Sequence, residues 1–577
     1  MLRYTRSVAA IVTAGLAVSA NAITVPTTAP STAATVDSSL VAVSIEFFAF
    51  PGYTQLASTG TCLANLQGLR GSPVAVRIGG TTQDRATYNA SLATPVSYTV
   101  ASPSDAPTSL TFGPSFFTLA ASDLKGNVTI GLNRQLNNQA NTLAAAVQAK
   151  KTMPNLYAVE LGNEPDLYAS NSPIVPSTGW NQNADAASEK SWFTDLAPSV
   201  GNIFQAAVYI SWRTAATIPL LGSSIGNVRS VSEHSYPQSA CNGATTNLQT
   251  LLSHSNIVSY TAGFKSDAAS AHAAGVRYFL GETNSGRLFF SITGDGQLIK
   301  DYMKATCGGG GISPTFGAAL WIVDYVLQGA LNGAERLYFH QGTIGNCQYC
   351  WWGRFTTGAP FYGAYFVTEF LGTDGARLEM LDNGTGAVAS YVLFNSAGTP
   401  VRLLVYNSNY FDGTGTRSTT SVSFTGGSIP SSGTKTALRL TGPNATSRVD
   451  QGGVVTIGGQ LTFDGNCNAV GAQVRENFPP LLNNVHCNDL YGSSSPGSQH
   501  SRRHTYISHT RSSVISSENA TAYYGVLHEA LAEARNKIGA DLTVWRDAVG
   551  KLELVKETKR AKNAEDEEDD EEGDEND

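Results

Sequence analysis

The chain has 577 residues, 42% of them hydrophobic and only 14% charged, with 57 Gly and 23 Pro; that is too long and too apolar for a disordered protein. The net charge of -8 is concentrated at one end. Glu565 to Asp577 holds eleven acidic side chains and no base, so the rest of the chain carries +3. A near-neutral body without a large Lys/Arg cluster excludes nucleic acid as the natural substrate, because phosphate neutralisation needs a basic face.

Residues 1–22 combine a basic start, an apolar run from Val8 to Val18 and a small-x-small end at Ala20-Asn21-Ala22. This is the pattern of a secretory signal, and its core is too short to span a bilayer. No later stretch approaches about 18 unbroken apolar residues, so the expectation is a secreted, extracellular protein with no membrane partner. Five Asn-x-Ser/Thr sequons, at Asn89, Asn127, Asn383, Asn444 and Asn519, are compatible with that route.

Between Ser44 and Gly372, short apolar runs alternate with longer helical patterns. The runs are Val41 to Ala49, Val74 to Ile78, Val128 to Leu132, Leu156 to Leu161, Val276 to Leu280, Ala318 to Val323 and Arg336 to Phe339. Apolar runs without strict alternation suit strands buried on both faces of a parallel sheet, and their repetition predicts a (β/α)8 barrel over residues 23–373. Period-2 runs follow at Val388 to Phe394, Val401 to Tyr406, Thr419 to Phe424, Thr436 to Leu440 and Val454 to Phe463. They predict an antiparallel β-sandwich over 374–479. A Gly/Ser/His-rich stretch makes 480–513 a linker, and 514–577 reads as two amphipathic helices and an acidic, solvated tail.

Seven cysteines, at 62, 241, 307, 347, 350, 467 and 487, should partly pair in an oxidising compartment, with an odd one left over. Cys347-Gln-Tyr-Cys350 lacks the second ligand pair of a zinc site. Disulfide or structural thiols are therefore expected, with no metal and no cofactor.

Two segments carry chemistry. Tyr157-Ala-Val-Glu-Leu-Gly-Asn163-Glu164-Pro165-Asp166 and Arg277-Tyr-Phe-Leu-Gly281-Glu282-Thr-Asn-Ser285 are both apolar runs that deliver a carboxylate at their C-terminal end. In a barrel that end is the catalytic face. Two carboxyls facing each other across a pocket are what glycoside hydrolysis needs, one to protonate the leaving oxygen and one to attack or to activate water.

At these residues the sequence resembles glycoside hydrolase family 79, the β-glucuronidase and heparanase group. Gly162-Asn163-Glu164-Pro165 resembles the acid/base motif and Gly281-Glu282-Thr-Asn-Ser285 the nucleophile strand. Arg77-Ile-Gly79-Gly80-Thr-Thr-Gln-Asp84 is similar to the second-strand loop. His234-Ser-Tyr236-Pro237 resembles the segment that brings an aromatic hydroxyl to the nucleophile, and Phe316 to Tyr325 with Phe339 to Gly342 resembles the last two strands.

The resemblance implies double displacement, with Glu164 as acid/base and Glu282 as nucleophile, Asn163 on the sugar 2-OH and Tyr236 orienting Glu282. It further implies Glu46 at sugar hydroxyls, Asp84 in the loop that lines the sugar subsite, and Tyr325 with Gly309 and Gly310 around a glucuronate carboxylate. Histidines 234 and 340 rank below the glutamates. The expected partner is a glucuronic-acid-containing glycan or glycoside met by a monomer, and the expected activity is exo-β-glucuronidase on terminal, optionally 4-O-methylated, glucuronic acid. An endo-acting enzyme of heparanase or hyaluronidase type, and a catalytically silent carbohydrate-binding protein, stay open as alternatives. The stretch Gly286 to Thr306, which separates the nucleophile strand from the Gly-rich loop, departs from the family pattern and is either a lid or an interruption of it.

Overall fold

The computed structural model describes residues 22–238, 247–286, 311–353, 356–417, 420–426 and 435–478, and the backbone of 484–486 and 504–508. The signal-like segment, the insert, Gly309, Gly310, the helical pair with its acidic tail, and cysteines 241, 307 and 487 lie outside the described residues.

Eight parallel strands close into a barrel. In chain order they are β1 (Val41–Glu46), β2 (Val76–Gly79), β3 (Val128–Leu132), β4 (Leu156–Leu161), β5 (Phe204–Tyr209), β6 (Val228–Ser235), β7 (Arg277–Thr283) and β8 (Arg336–Gln341). Each pairs with its sequence neighbour, and β8 pairs with β1. Helices wrap the outside, so the strands are almost wholly buried, which is why they read as apolar runs rather than alternating ones. The interior is layered. Ala42, Ala75, Phe279 and Tyr338, with Tyr157 against them, form an apolar plug. A buried polar layer of Arg77, Glu160, Gln205 and Ser230 lies within the barrel as well.

Two features of the barrel depart from expectation. Ala318 to Val323 is no strand; it lies inside the helix Phe316–Leu331, which is capped by Thr315 and buried on all sides. A helix apolar all round has no amphipathic period, so a six-residue window of it cannot be told from a buried strand. The places in the barrel go to β5 and β6, whose Gln205, Ser230, Ser232, Glu233 and His234 interrupt any apolar run.

The second domain follows β8 and its helix. Strands β9 (Arg377–Met380), β10 (Val388–Phe394) and β11 (Pro400–Asn407) are antiparallel. Beyond them, β13 (Lys435–Thr441) joins the same sheet through His504–Ser508, which lies parallel to both β11 and β13. A smaller sheet holds β12 (Ser421–Thr425) with Ile23–Thr24 and Asn484–His486. The 480–513 stretch, read as a linker from its composition, thus supplies two strands; His-Thr-Tyr-Ile-Ser has strand-forming residues that the surrounding Gly and Ser masked. The N-terminal segment also belongs here and not to the barrel, since Ala34–Thr35 pairs with β9. Strands of two residues leave no periodic signal. Val454 to Phe463 is likewise broken into Thr456–Ile457 and Thr462–Phe463 by a turn at Gly458 and Gly459, both at positive φ.

Val392, Phe394, Val405, Val422 and Phe424 fill the space between the two sheets. Tyr391, Leu393, Leu404 and Tyr406, from the opposite pleat, join the main core with the barrel helices. Cys62, on the helix Ala57–Arg70, is disulfide-bonded to Cys467 and ties barrel to sandwich across 405 residues of sequence. Among the described cysteines, 347 pairs with 350.

A buried ionic clamp closes the same seam. His254 lies between Asp324 of the helix Phe316–Leu331 (Nδ1 to Oδ2, 2.8 Å) and Asp382 of the sandwich (Nε2 to Oδ1, 3.1 Å). Tyr391 donates to Asp324 as well, and Tyr406 packs against the imidazole. Burial disfavours the imidazolium, but the two carboxylates outweigh it and raise His254 to about 10. A folded-state pKa above the unfolded value of about 6.5 stabilises fully below that value and is lost as pH rises through about 10. Unfolding followed from pH 6.5 to 10 should therefore show stability falling with pH, by a slope approaching one proton taken up on folding, and His254→Gln should flatten that slope.

Candidate active site

The site is assembled at the C-terminal ends of β1, β2, β4, β6, β7 and β8 around Arg77 of β2. This guanidinium is fully buried. It donates from Nε and Nη2 to Glu160 (2.9 and 2.5 Å), from Nη1 to Ser44 (3.1 Å) and Glu282 Oε2 (2.8 Å), and from Nη2 to Asn163 Oδ1 (2.8 Å). Because a guanidinium has only donors, the oxygen end of the Asn163 amide must face it. The amide NH2 is left as the end able to donate elsewhere.

Glu282, near the end of β7, also accepts from the Tyr236 hydroxyl through Oε1 at 2.6 Å. Burial would favour its neutral form. The charges of His340, His234 and Arg77 and the Tyr236 bond win, holding the carboxyl well below the ordinary glutamate range. Glu282 is thus an oriented anion. Tyr236, buried and beside that anion, has its own pKa pushed well up and stays a neutral donor.

Glu164 follows β4 on a loop with unusual backbone. Gly162 (φ 82°) and Glu164 (φ 47°) are both left-handed, and a Cβ at Gly162 would lie 2.2 Å from the Tyr168 hydroxyl. Two acids fix this loop. Asp84 accepts from the amides of Arg134 (3.0 Å), Gln135 (3.2 Å) and Asn163 (2.7 Å) and from the Tyr168 hydroxyl (2.7 Å). Asp166 accepts from the amides of Ile210 (3.1 Å), Ser211 (2.5 Å) and Trp212 (3.1 Å) after β5. The Glu164 amide itself donates to the Val208 carbonyl at 3.1 Å. His234 Nδ1 lies 3.0 Å from Glu164 Oε1. One atom each of Glu164, His234 and Glu282 falls within 4.8 Å of the others. Such a triple could ligate a cation, but the Arg77 guanidinium 2.8 Å from Glu282 repels one.

The other predicted residues divide. Glu46, at the end of β1, faces the same pocket: Oε1 accepts from the Thr82 amide (3.0 Å) and hydroxyl (2.5 Å), and Oε2 lies 3.3 Å from His340 Nε2. Gly80, at φ 104°, is required here, since a Cβ would stand 2.5 Å from Glu46 Oε2. Asp84 is buried with four donors, so it anchors the Glu164 loop instead of meeting substrate. Tyr325 departs from expectation in the same way: its buried hydroxyl is shared with Ser235 Oγ (2.8 Å) and Thr283 Oγ1 (2.9 Å), bracing β6 and β7. Both histidines that ranked low are at the centre, with His340 raised above its ordinary pKa because Glu282 and Glu46 outweigh its burial.

Sequence reading missed Tyr349. It is buried with its ring near those of Tyr236 and His340, on the loop closed by Cys347–Cys350. The available signal was an aromatic residue inside a four-residue Cys-x-x-Cys ring one short loop after a barrel strand.

Carboxyls delivered by β4 and β7 to the mouth of a (β/α)8 barrel make this a glycoside hydrolase. Residues 390–486 match the glycosyl hydrolase family 79 C-terminal beta domain. A β-glucuronidase of Aspergillus niger is 30% identical over 417 residues, covering 66% of this chain and 73% of its own. One from Neurospora crassa is 30% identical over 408 residues, covering 60% and 66%. The crystal structure of a 4-O-α-L-rhamnosyl-β-D-glucuronidase from Fusarium oxysporum 12S, in complex with Rha-GlcA, is 43% identical with a TM-score of 0.72, covering 79% of this chain and 95% of that one. The chain belongs to glycoside hydrolase family 79 and is homologous to its β-glucuronidase-like enzymes, as its motifs suggested.

Two outcomes follow from the geometry. Tyr236→Phe should lower kcat/KM roughly tenfold to a hundredfold, the cost of a hydrogen bond to a charged group, and move the acid limb of the pH profile to higher pH, because the carboxylate loses a stabilising donor. Asp166→Asn should loosen Glu164 alone. Its kcat/KM should fall roughly tenfold on glycosides with poor leaving groups and little on a 2,4-dinitrophenyl glycoside, which needs no protonation; a loss independent of the leaving group would deny it that role.

Proposed function

We propose that this protein is a secreted, retaining exo-β-glucuronidase that removes terminal glucuronic acid from glycans or glycoconjugates. The observation that carries the reading is that one carboxylate oxygen of Glu164 and one of Glu282 lie within 4.8 Å of each other. It supports a nucleophile mechanism, whose carboxyls stand about 5–5.5 Å apart, over an inverting one, which needs about 6.5–9.5 Å to admit a water. Glu164 protonates the glycosidic oxygen as Glu282 attacks the anomeric carbon. Glu164 then takes a proton from the water that releases the sugar.

The Asn163 NH2 end donates to the sugar 2-OH, and Glu46 accepts from hydroxyls at the far side of the ring. An imidazole cluster beside the nucleophile, with the phenols of Tyr236 and Tyr349, suits an anionic sugar. Secretion is part of the proposal, supported by the N-terminal pattern and by the exposure of Asn89, Asn127 and Asn383. The 43% identity with the Fusarium enzyme favours a second reading of the glycone, a glucuronate carrying a rhamnosyl group on O4.

The test is proton NMR of the first turnovers of an aryl β-glucuronide. The expected first product is the β-anomer, and Glu282→Gln should lose at least 10³-fold in kcat. Appearance of the α-anomer first, or turnover of the matching β-glucoside alone, would overturn the reading.

A further inference from the structure

The helix Gln182–Val200 packs outside the barrel against β5 and turns two carboxyls toward it. Asp185 and Glu189 stand one turn apart on the same face, and both are fully buried. Like charges at that spacing repel, and the guanidinium of Arg134, after β3, faces both of them. Asp185 takes it: Arg134 donates to one Asp185 oxygen and the Tyr209 hydroxyl to the other. Glu189 is left with a single hydrogen bond among the described residues. Its Oε1 accepts from the Ala207 amide at 3.0 Å, while Oε2 is buried without a partner. Burial and the neighbouring Asp185 outweigh Arg134 and raise Glu189 above the ordinary glutamate range, so the side chain is a neutral carboxylic acid.

The residue at the other end of that bond is the one where β5 changes course. The ladder from β5 to β4 runs only through Phe204–Val159 and Gln205–Glu160, and the register to β6 shifts between Ala207 and Tyr209. Across the break Ala207 (φ 72°) and Val208 (φ 64°) are both left-handed, a conformation that a Cβ makes unfavourable. The next contact between the two chains is the Glu164 amide donating to the Val208 carbonyl at 3.1 Å. Asp166 fixes the amides of Ile210, Ser211 and Trp212 on the far side of Val208. Glu189 fixes Ala207 on the near side.

We infer that Glu189 is a positioning residue for Glu164: from the helix outside the barrel it keeps Ala207 in the reversed conformation that aims the Val208 carbonyl at the Glu164 amide. The inference rests on the reading of Glu164 as the general acid and adds a remote side chain on which the placement of that acid depends. Being fully buried behind β5, Glu189 itself meets no substrate.

A neutral group acts here through its reach and its acceptor, not through charge, and two substitutions separate these. Glu189→Gln keeps the length and an acceptor oxygen but cannot ionise. Glu189→Asp keeps the acid but is one methylene short of the Ala207 amide. A third change removes the need for the bond: glycine at 207 adopts a positive φ without the Cβ penalty.

The experiment measures kcat/KM on phenyl β-glucuronide, whose leaving group needs a proton, and on the 2,4-dinitrophenyl glucuronide, whose leaving group does not. The proteins are the full-length enzyme, Glu164→Ala as reference, Glu189→Gln, Glu189→Asp and Glu189→Asp with Ala207→Gly, each checked for folding by its melting temperature. Glu189→Asp should lose about tenfold on the phenyl glycoside and under about twofold on the dinitrophenyl one; Glu189→Gln should stay within about twofold on both, and Ala207→Gly should bring the Asp variant back to within about threefold. Should Glu189→Asp not fold, Glu189→Met, which keeps the volume and drops the acceptor, takes its place. No loss in Glu189→Asp, an equal loss on both glycosides, a Gln variant as impaired as the Asp one, or no recovery with Ala207→Gly would overturn the inference and leave the reading of Glu164 standing. A wild type that cleaves neither glucuronide, or a Glu164→Ala variant that falls equally on both, would instead bring down that reading and this inference with it.

Discussion

A single buried cation organises this barrel. Arg77 has no access to water, and taking its charge out of water costs several kcal/mol unless partners replace the lost hydration. Glu160 does so with both carboxylate oxygens, and Glu282, Asn163 and Ser44 take the remaining donors. The arrangement is one-directional in its consequences. The charges of His340, His234 and Arg77 together hold the carboxyl on β7 ionised, and because the guanidinium offers only donors, the amide beside Glu164 presents its NH2 outward. Orientation in the site thus follows from a buried guanidinium in the barrel interior.

Glu164 is held by different means. Glu164, Ala207 and Val208 are non-glycine residues at positive φ, each costing of order 1–3 kcal/mol. Glu164 lies on the loop after β4, Ala207 and Val208 on the adjacent β5, and they support one another: Val208 receives the Glu164 amide, Glu189 receives the Ala207 amide at 3.0 Å, and Asp166 gathers the amides that follow. A β-branched residue in that region is a marked outlier, and it persists because hydrogen bonds on both sides specify it. One carboxylate is therefore fixed through charge, its partner through backbone strain.

Much of this was readable in the sequence because barrel strands announce themselves as apolar runs and the two carboxyls of the site follow at their ends. Glu164 and Glu282 were legible for that reason, and Tyr236 through its motif. What escaped was what lacks a period. β5 and β6 carry buried polar residues for the Arg77 layer and for His234, so their apolar signal is broken by the very groups that matter. The helix Phe316–Leu331 is buried on every side and mimics a strand. The two-residue strands near the N-terminus and His504–Ser508 are ordered by the sheet they join, not by their own pattern. Asp84 and Tyr325 were expected at the substrate, but whether a polar side chain meets ligand or braces the fold depends on hydrogen-bond partners that no spacing reveals.

The central claim is that Glu282, ionised beside Arg77, attacks the sugar. Its most direct test is labelling with a 2-deoxy-2-fluoro-glucuronyl fluoride, followed by intact mass and peptide mapping. The account predicts a single adduct of one sugar on the peptide containing Glu282, formed far more slowly in Arg77→Gln. Modification of Glu164 or Glu46, or turnover without any covalent adduct, would contradict it.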